Sequence, residues 1–229
     1  MSEKTTKTIP DSKDENVGAA AKDFWTRFSK PIIYAGGAVI LIIGGWLAYQ
    51  QWVVEPNQKK ANEAVSKAQE YFAKDSLKLA LDGDGANAGF LKIIKNYAGT
   101  DAAKLAQYYA GAIYLRQDDF SNAIKYLENY TTEATQIQSA AWRMLGDAYM
   151  SSGKKEKGIE YYLKAGNLND KDEFTSSENL YLAALAYTTV GKNKEAIEVF
   201  KTLKEKYPKS EKASLADKYL AQLGVIEND

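Results

Sequence analysis

The chain has 229 residues, with 30 basic and 30 acidic side chains and neither cysteine nor histidine. The even charge balance leaves no electrostatic footprint for nucleic acid. Without cysteine there are no disulfides, thiol lipidation or thiolate chemistry, and the added lack of histidine removes the commonest transition-metal ligands and the commonest general base.

Residues 1–30 are mixed in charge, rich in Lys, Asp, Ser and Thr, and carry no apolar period, which predicts a disordered tail. Residues 31–54 then run from Pro31 to Val54 without one charged side chain. A hydrocarbon core of roughly 30 Å needs about 20 apolar helical residues to cross it, so this run predicts a transmembrane helix. Arg27 and Lys30 precede it and Glu55 follows it. Trp25 and Trp52 stand 27 positions apart. As helix this is about 40 Å, the span of a bilayer with its interfacial layers. The run is too long for a signal-peptide core, and no small-residue cleavage pattern follows it. Basic residues near the two ends nearly tie (Lys22, Arg27 and Lys30 against Lys59, Lys60 and Lys67), with the N-terminal set nearer the membrane. Gly37, Gly44 and Ala48 form a small-residue face on this helix.

Residues 55–100 predict a helical lead-in. Ala61, Ala64, Val65, Ala68, Tyr71 and Phe72 recur at steps of three and four, with Pro56 as a possible joint before them. Leu77, Leu79 and Leu81 lead into Asp82-Gly83-Asp84-Gly85, a turn signal, and Phe90, Ile93, Ile94 and Tyr97 resume the helical period. Whether this stretch is a degenerate repeat or an irregular lead-in stays open at this level. Asp82 and Asp84 lack the further ligands of a calcium loop, so a turn with capping carboxylates is expected.

Residues 101–229 repeat themselves. Gly111, Gly146 and Ala184 are equivalent, as are Tyr114, Tyr149 and Tyr187, then Ala123, Gly158 and Ala196, then Leu127, Tyr162 and Phe200. The copies are offset by 35 and then 38 residues, and the polar stretch Asn167 to Asn179 is expected to absorb the difference as a loop. Gly153 and Gly191 fall where a short interhelical turn needs positive φ. Glu211 to Leu223 predicts a terminal capping helix. A period in the middle thirties built from helix pairs marks a solenoid.

This pattern resembles the tetratricopeptide repeat (TPR) family. The middle copy carries it best, through Trp142, Leu145, Gly146, Tyr149, Gly158, Tyr162 and Ala165; the third copy adds the closing Pro208, and the first departs at Gln107. The expected fold is all-α: a TPR-like α-solenoid of antiparallel helix pairs, preceded by one N-terminal transmembrane helix. The layout is similar to that of single-pass bacterial envelope TPR proteins, among them the ancillary Sec translocon subunit. That resemblance implies the bacterial inner membrane with the repeats in the periplasm. It also implies other proteins as partners, such as translocon subunits or exported clients. An adaptor or chaperone-like factor near the export machinery is expected; the alternative is a scaffold that self-associates or organises an envelope complex. No cofactor, metal site, nucleic-acid partner or catalytic pair is expected, and the chain is not read as an enzyme.

Projecting the repeat register places a protein-binding groove on the first helices. Its candidates are Leu105, Tyr108, Tyr109 and Ala112, then Arg143, Met144, Asp147 and Met150, then Glu178, Tyr181 and Leu185. Aromatics and Arg suit recognition because they bury much surface and keep a polar handle. The positions where one TPR subclass clamps a terminal carboxylate hold Tyr108, Ala112, Met144, Glu178 and Leu182 here, which supply no cationic clamp.

Overall fold

A computed structural model describes residues 12–225 of the chain. It divides into two compact units, residues 1–56 and 57–229.

The first unit is helical. Helix α1 spans Ser12–Tyr49 and a π-helical turn covers Gln50–Val54. The expected unstructured tail is therefore α-helical from Ser12, and only its residues 1–11 lie outside the described residues. The physical reason is cooperativity: once an apolar helix exists, extending it through Ala19, Ala20 and Ala21 needs no new nucleus. The apolar stretch is long enough to cross a membrane and is exposed, with Ile40 71% and Leu41 77% accessible. In the π turn the Glu55 N–H donates to the Gln50 carbonyl, a wide i→i+5 closure. Pro56 explains it: proline offers no N–H and crowds the carbonyl four residues back, and a wider turn relieves that clash.

The second unit is built from short helices. Helix α2 spans Glu55–Ala73, α3 Leu77–Asp82 and α4 Phe90–Asn96. Then come α5 (Asp101–Arg116), α6 (Phe120–Glu128), α7 (Thr135–Ser151), α8 (Lys155–Gly166), α9 (Glu173–Thr189), α10 (Asn193–Lys206) and α11 (Glu211–Gln222). No strand forms among the described residues, only an isolated bridge between Gly83 and Ala88. Helices pack in hairpins, α5 on α6, α7 on α8 and α9 on α10, and each hairpin packs on the next. The first helices of neighbouring hairpins also touch, α5 with α7, α7 with α9 and α9 with α11. This is the all-α solenoid of paired helices that the repeat spacing predicts.

Close approach sets the geometry of each hairpin. A Cβ at Gly111 would lie 2.4 Å from Leu127, and one at Gly146 would lie 2.4 Å from the Tyr162 ring. A Cβ at Gly158 would meet the Met150 side chain at 2.6 Å. In the third hairpin Ala184 and Phe200 are both fully buried in one cluster. Small residues on one helix thus seat large ones from its partner at interior packing density.

One turn recurs five times. The N–H groups of Ser76, Asp119, Lys154, Lys192 and Val225 donate to the carbonyls of Tyr71, Tyr114, Tyr149, Tyr187 and Leu220 at 2.9–3.0 Å. The residue before each donor has positive φ: Asp75 57°, Asp118 58°, Gly153 81°, Gly191 75° and Gly224 83°. This is a helix C-cap with a left-handed residue. Residues 55–100 share the spacing: Ala80 follows Tyr71 by nine residues, as Ala123 follows Tyr114. Beyond Ala80 the loop Gly83–Gly89 intrudes, and Phe90, fully buried, arrives six residues later than Leu127 does in its own copy.

That loop is tightly held. A Cβ at Gly83 would lie 2.2 Å from the Asn87 carbonyl oxygen, and one at Gly89 would lie 2.3 Å from that of Leu81. Asp84 accepts from the Tyr71 hydroxyl (2.6 Å), the Asn87 N–H (2.6 Å) and the Asn87 side-chain amide (2.9 Å).

The expected loop Asn167 to Asn179 is shorter, because α9 begins at Glu173. Its polar residues read as loop but find partners within and just before the helix, except that the buried Asn179 Oδ1 has none among the described residues. Thr175 N donates to the Asp172 cap (3.1 Å), Ser176 Oγ to the Asn169 carbonyl (2.9 Å) and Asn179 Nδ2 to the Thr175 carbonyl (2.7 Å). Asp119 caps α6 in the same way, and α11 closes the stack with its apolar side on the last core cluster.

Two expectations follow. Gly146→Ala lowers stability by about 1–3 kcal/mol because the Tyr162 ring must move, whereas Gly153→Ala, strained only in its backbone, costs about 1 kcal/mol; urea midpoints of the two variants rank them. The hydrogen bond from Tyr71 first, then those from Asn87, hold the Asp84 carboxyl well below its ordinary 3.8. A depressed folded pKa contributes stability above the unfolded value and loses it as pH falls below. The melting-temperature gap between the parent chain and Asp84→Asn is therefore open at pH 7 and narrows below about pH 4.

Candidate functional site

The first helices carry the expected groove residues, and the structure divides them. Tyr109 is committed to packing: its ring stacks on Phe90 (5.1 Å) and meets Phe72 edge-on (5.0 Å), while Gln69 Nε2 donates to its hydroxyl at 3.1 Å. It seals α5 against the preceding helices rather than lining a groove. Met150 fills the space over Gly158, and Tyr181 is buried against Phe200 and Tyr219. Met144 and Leu185 are partly buried on core clusters. Register alone did not separate these from groove positions because an α-helix of a solenoid touches neighbours on more than one side.

Others remain accessible. Arg143 is exposed and forms no ion pair among the described residues. Asp147, one turn on, accepts from the Tyr162 hydroxyl at 2.7 Å, which leaves its second oxygen available. Burial first, then this bond to Asp147, raises the Tyr162 phenol far above its ordinary value, so it stays a donor and fixes the carboxylate. Tyr108 is half-buried between Tyr109 and Tyr130, at 5.6 and 5.3 Å, and Ala112 is partly exposed on the same helix.

Two open clefts lie between the N-terminal ends of neighbouring first helices. One, of about 700 Å³, is bordered by Asp101, Lys104 and Leu105 of α5 and by Tyr130, Glu133 and Ile137 at the approach to α7. The other, of about 440 Å³, is bordered by Glu173, Phe174, Ser177 and Glu178 of α9 and by Glu211 and Lys212 of α11. The groove residues Leu105 and Glu178 line them, one each. Glu178 pairs with Lys212 at 3.0 Å, and that ammonium also sits 5.3 Å over the Tyr181 ring.

Ile137 and Phe174 were not anticipated. Phe174 was legible in principle, as the lone aromatic in the acidic stretch Asn169 to Glu178. Ile137 carried no signal, since an apolar residue near a helix start normally packs inward. No group of three metal-ligating side chains occurs among the described residues. Asp84, the nearest approach to a calcium-type loop, already spends its oxygens on Tyr71 and Asn87.

Comparison with known proteins agrees with the geometry. Residues 116–203 match the family described as "Anaphase-promoting complex, cyclosome, subunit 3", which is built from TPR-type repeats. The match runs from the end of α5 through most of α10 and so covers the best-formed hairpins. No curated protein matches the chain at a significant level. The fold of residues 57–225 is thus that of a TPR-like α-solenoid, a type of repeat built for protein–protein contact.

Proposed function

We propose that the chain is a membrane-anchored protein-binding module in which residues 31–54 span the bacterial inner membrane and the solenoid stands in the periplasm. Residues 55–100 act as its first, degenerate repeat, and residues 101–229 supply the remaining repeats and the cap. Its role on this reading is that of an adaptor near the export machinery, contacting translocon subunits or exported clients. The reading assigns no catalysis to the chain.

The observation that carries the reading is the division of the first-helix residues. Tyr109, Met150 and Tyr181 are used in packing, but Leu105, Tyr108, Ala112, Arg143 and Asp147 remain partly or fully accessible along successive first helices. A stacked array of such helices offers a continuous surface for a polypeptide. Arg143 and the fixed Asp147 supply a donor and an acceptor for a passing main chain, and Tyr108 adds an aromatic ring on the neighbouring first helix. The exposed apolar stretch of α1 supports the anchor, since leaving Ile40, Leu41 and Ile42 in water costs roughly 1.5–3 kcal/mol per side chain.

Full-length chain is expected to stay with the membrane on alkaline extraction and to need detergent for release. A reporter fused after Asp229 and active only in an oxidising compartment is expected to be active. A photo-crosslinker at Ala112 or Arg143 is expected to capture translocon subunits and several unfolded clients. A single crosslink to another copy of the chain would instead favour the scaffold, and release into the aqueous fraction without detergent would overturn the anchor.

A further inference from the structure

Only three large apolar side chains of residues 57–225 are markedly exposed: Leu79 39%, Ile137 40% and Phe174 81%. A single exposed apolar residue means little. Ile137 and Phe174, however, occupy the same kind of place. Each stands in a cleft between the N-terminal ends of adjacent first helices, α5 with α7 in one case and α9 with α11 in the other. Both clefts therefore open on the same edge of the stack.

Charge says what fits there. The two clefts are bordered by five carboxylates, Asp101, Glu133, Glu173, Glu178 and Glu211, and by two lysines. Both lysines are already paired, Lys104 with Asp101 at 3.2 Å and Lys212 with Glu178 at 3.0 Å. Glu133, Glu173 and Glu211 form no ion pair among the described residues. Glu173 and Glu211 sit in the first turns of α9 and α11, where they favour their own helices and still present charge outward. Lys171 and Lys209 stand in the adjoining turns but do not border the clefts.

We propose that this edge of the solenoid docks a cationic polypeptide segment that carries two bulky apolar side chains, one for each cleft. Covering the three unpaired carboxylates with a neutral or acidic chain desolvates them without return, whereas Lys or Arg on the incoming segment offsets that cost. Ile137 and Phe174 give the apolar side chains something to bury against. The inference rests on the reading of the solenoid as a polypeptide-binding module and specifies one class of segment and the edge that takes it.

The test uses the full-length chain in nanodiscs of zwitterionic lipid, with three fluorescent peptides of equal length and identical phenylalanine spacing. Their remaining positions are lysine, glutamate or serine. The lysine peptide is expected to bind at least about tenfold more tightly than the other two. Phe174→Ala and the triple change Glu133→Gln, Glu173→Gln and Glu211→Gln are each expected to weaken it about tenfold or more. Affinity for the parent chain is expected to fall steeply between about 50 and 300 mM salt, as the Debye length shortens from about 14 Å to about 6 Å, and the triple variant to lose that dependence. Circular dichroism melts of the variants, all at exposed positions, check that they fold. Equal binding of the serine or glutamate peptide overturns the inference and leaves the polypeptide-binding reading standing. Failure of every peptide, with crosslinks retained at Ala112 and Arg143, does the same. Loss of those crosslinks as well removes both. A Phe174→Ala effect on self-association alone, read by sedimentation of the nanodisc sample, overturns the inference in favour of a second copy as occupant.

Discussion

The solenoid depends on one steric constraint: at the middle of each first helix there is no room for more than a hydrogen or a methyl. Gly111 faces Leu127 and Gly146 faces the Tyr162 ring, each closer than a Cβ could stand, and Ala184 shares its cluster with Phe200. A large side chain from the second helix fills the space that the small residue leaves. The contact brings the hairpin to interior density and fixes its helices at one separation. Other features follow from that separation. The turn has to be short, so it ends in a left-handed residue, and the same pair of hydrogen bonds closes every hairpin.

The constraint also explains how an imperfect copy survives. Residues 55–100 keep the small residues Ala68 and Ala80, the tyrosine at the turn and the left-handed residue after it, here Asp75. Arg116 donates to Asp75 at 2.7 Å, an exposed contact that adds little energy but ties this turn to the next hairpin. The second limb is broken by the Gly83–Gly89 loop. Its apolar residues Phe90 and Ile93 still reach the core, because the loop folds back on itself through Asp84 and returns the chain to register. An insertion is tolerated where it closes on its own hydrogen bonds.

Once the second helices have been spent on the core, the first helices divide their surfaces between neighbours and solvent. Tyr109 shows the competition well. It has the size and amphipathic character of a recognition residue, yet two aromatic rings and an amide from the preceding helices claim it. In the best-formed repeat Arg143 stays exposed, while Asp147 gives one oxygen to Tyr162 of α8 and keeps the other available. Clefts open between the starts of adjacent first helices, and there Ile137 and Phe174 remain uncovered.

What the sequence determined by itself is the repeat. Fold class, helix pairing, the small-residue positions, the glycine turns and the capping helix were all legible, because each rests on spacing within some 40 residues, where the chain's period is visible. The apolar run of residues 31–54 was equally plain, and its helix is a matter of composition. The rest was not legible in the spacing, and for the groove it was decided by tertiary structure. Helix α1 reaches back to Ser12 because an existing helix extends cheaply, which no local reading of a polar tail reveals. Helix α9 starts at Glu173 because Asp172, Ser176 and Asn179 find partners that are invisible in composition. The groove was legible only as a register. Which side chains face a neighbour and which face water depends on how far successive hairpins rotate, a global quantity set by the sum of all the core contacts rather than by any one segment of the chain.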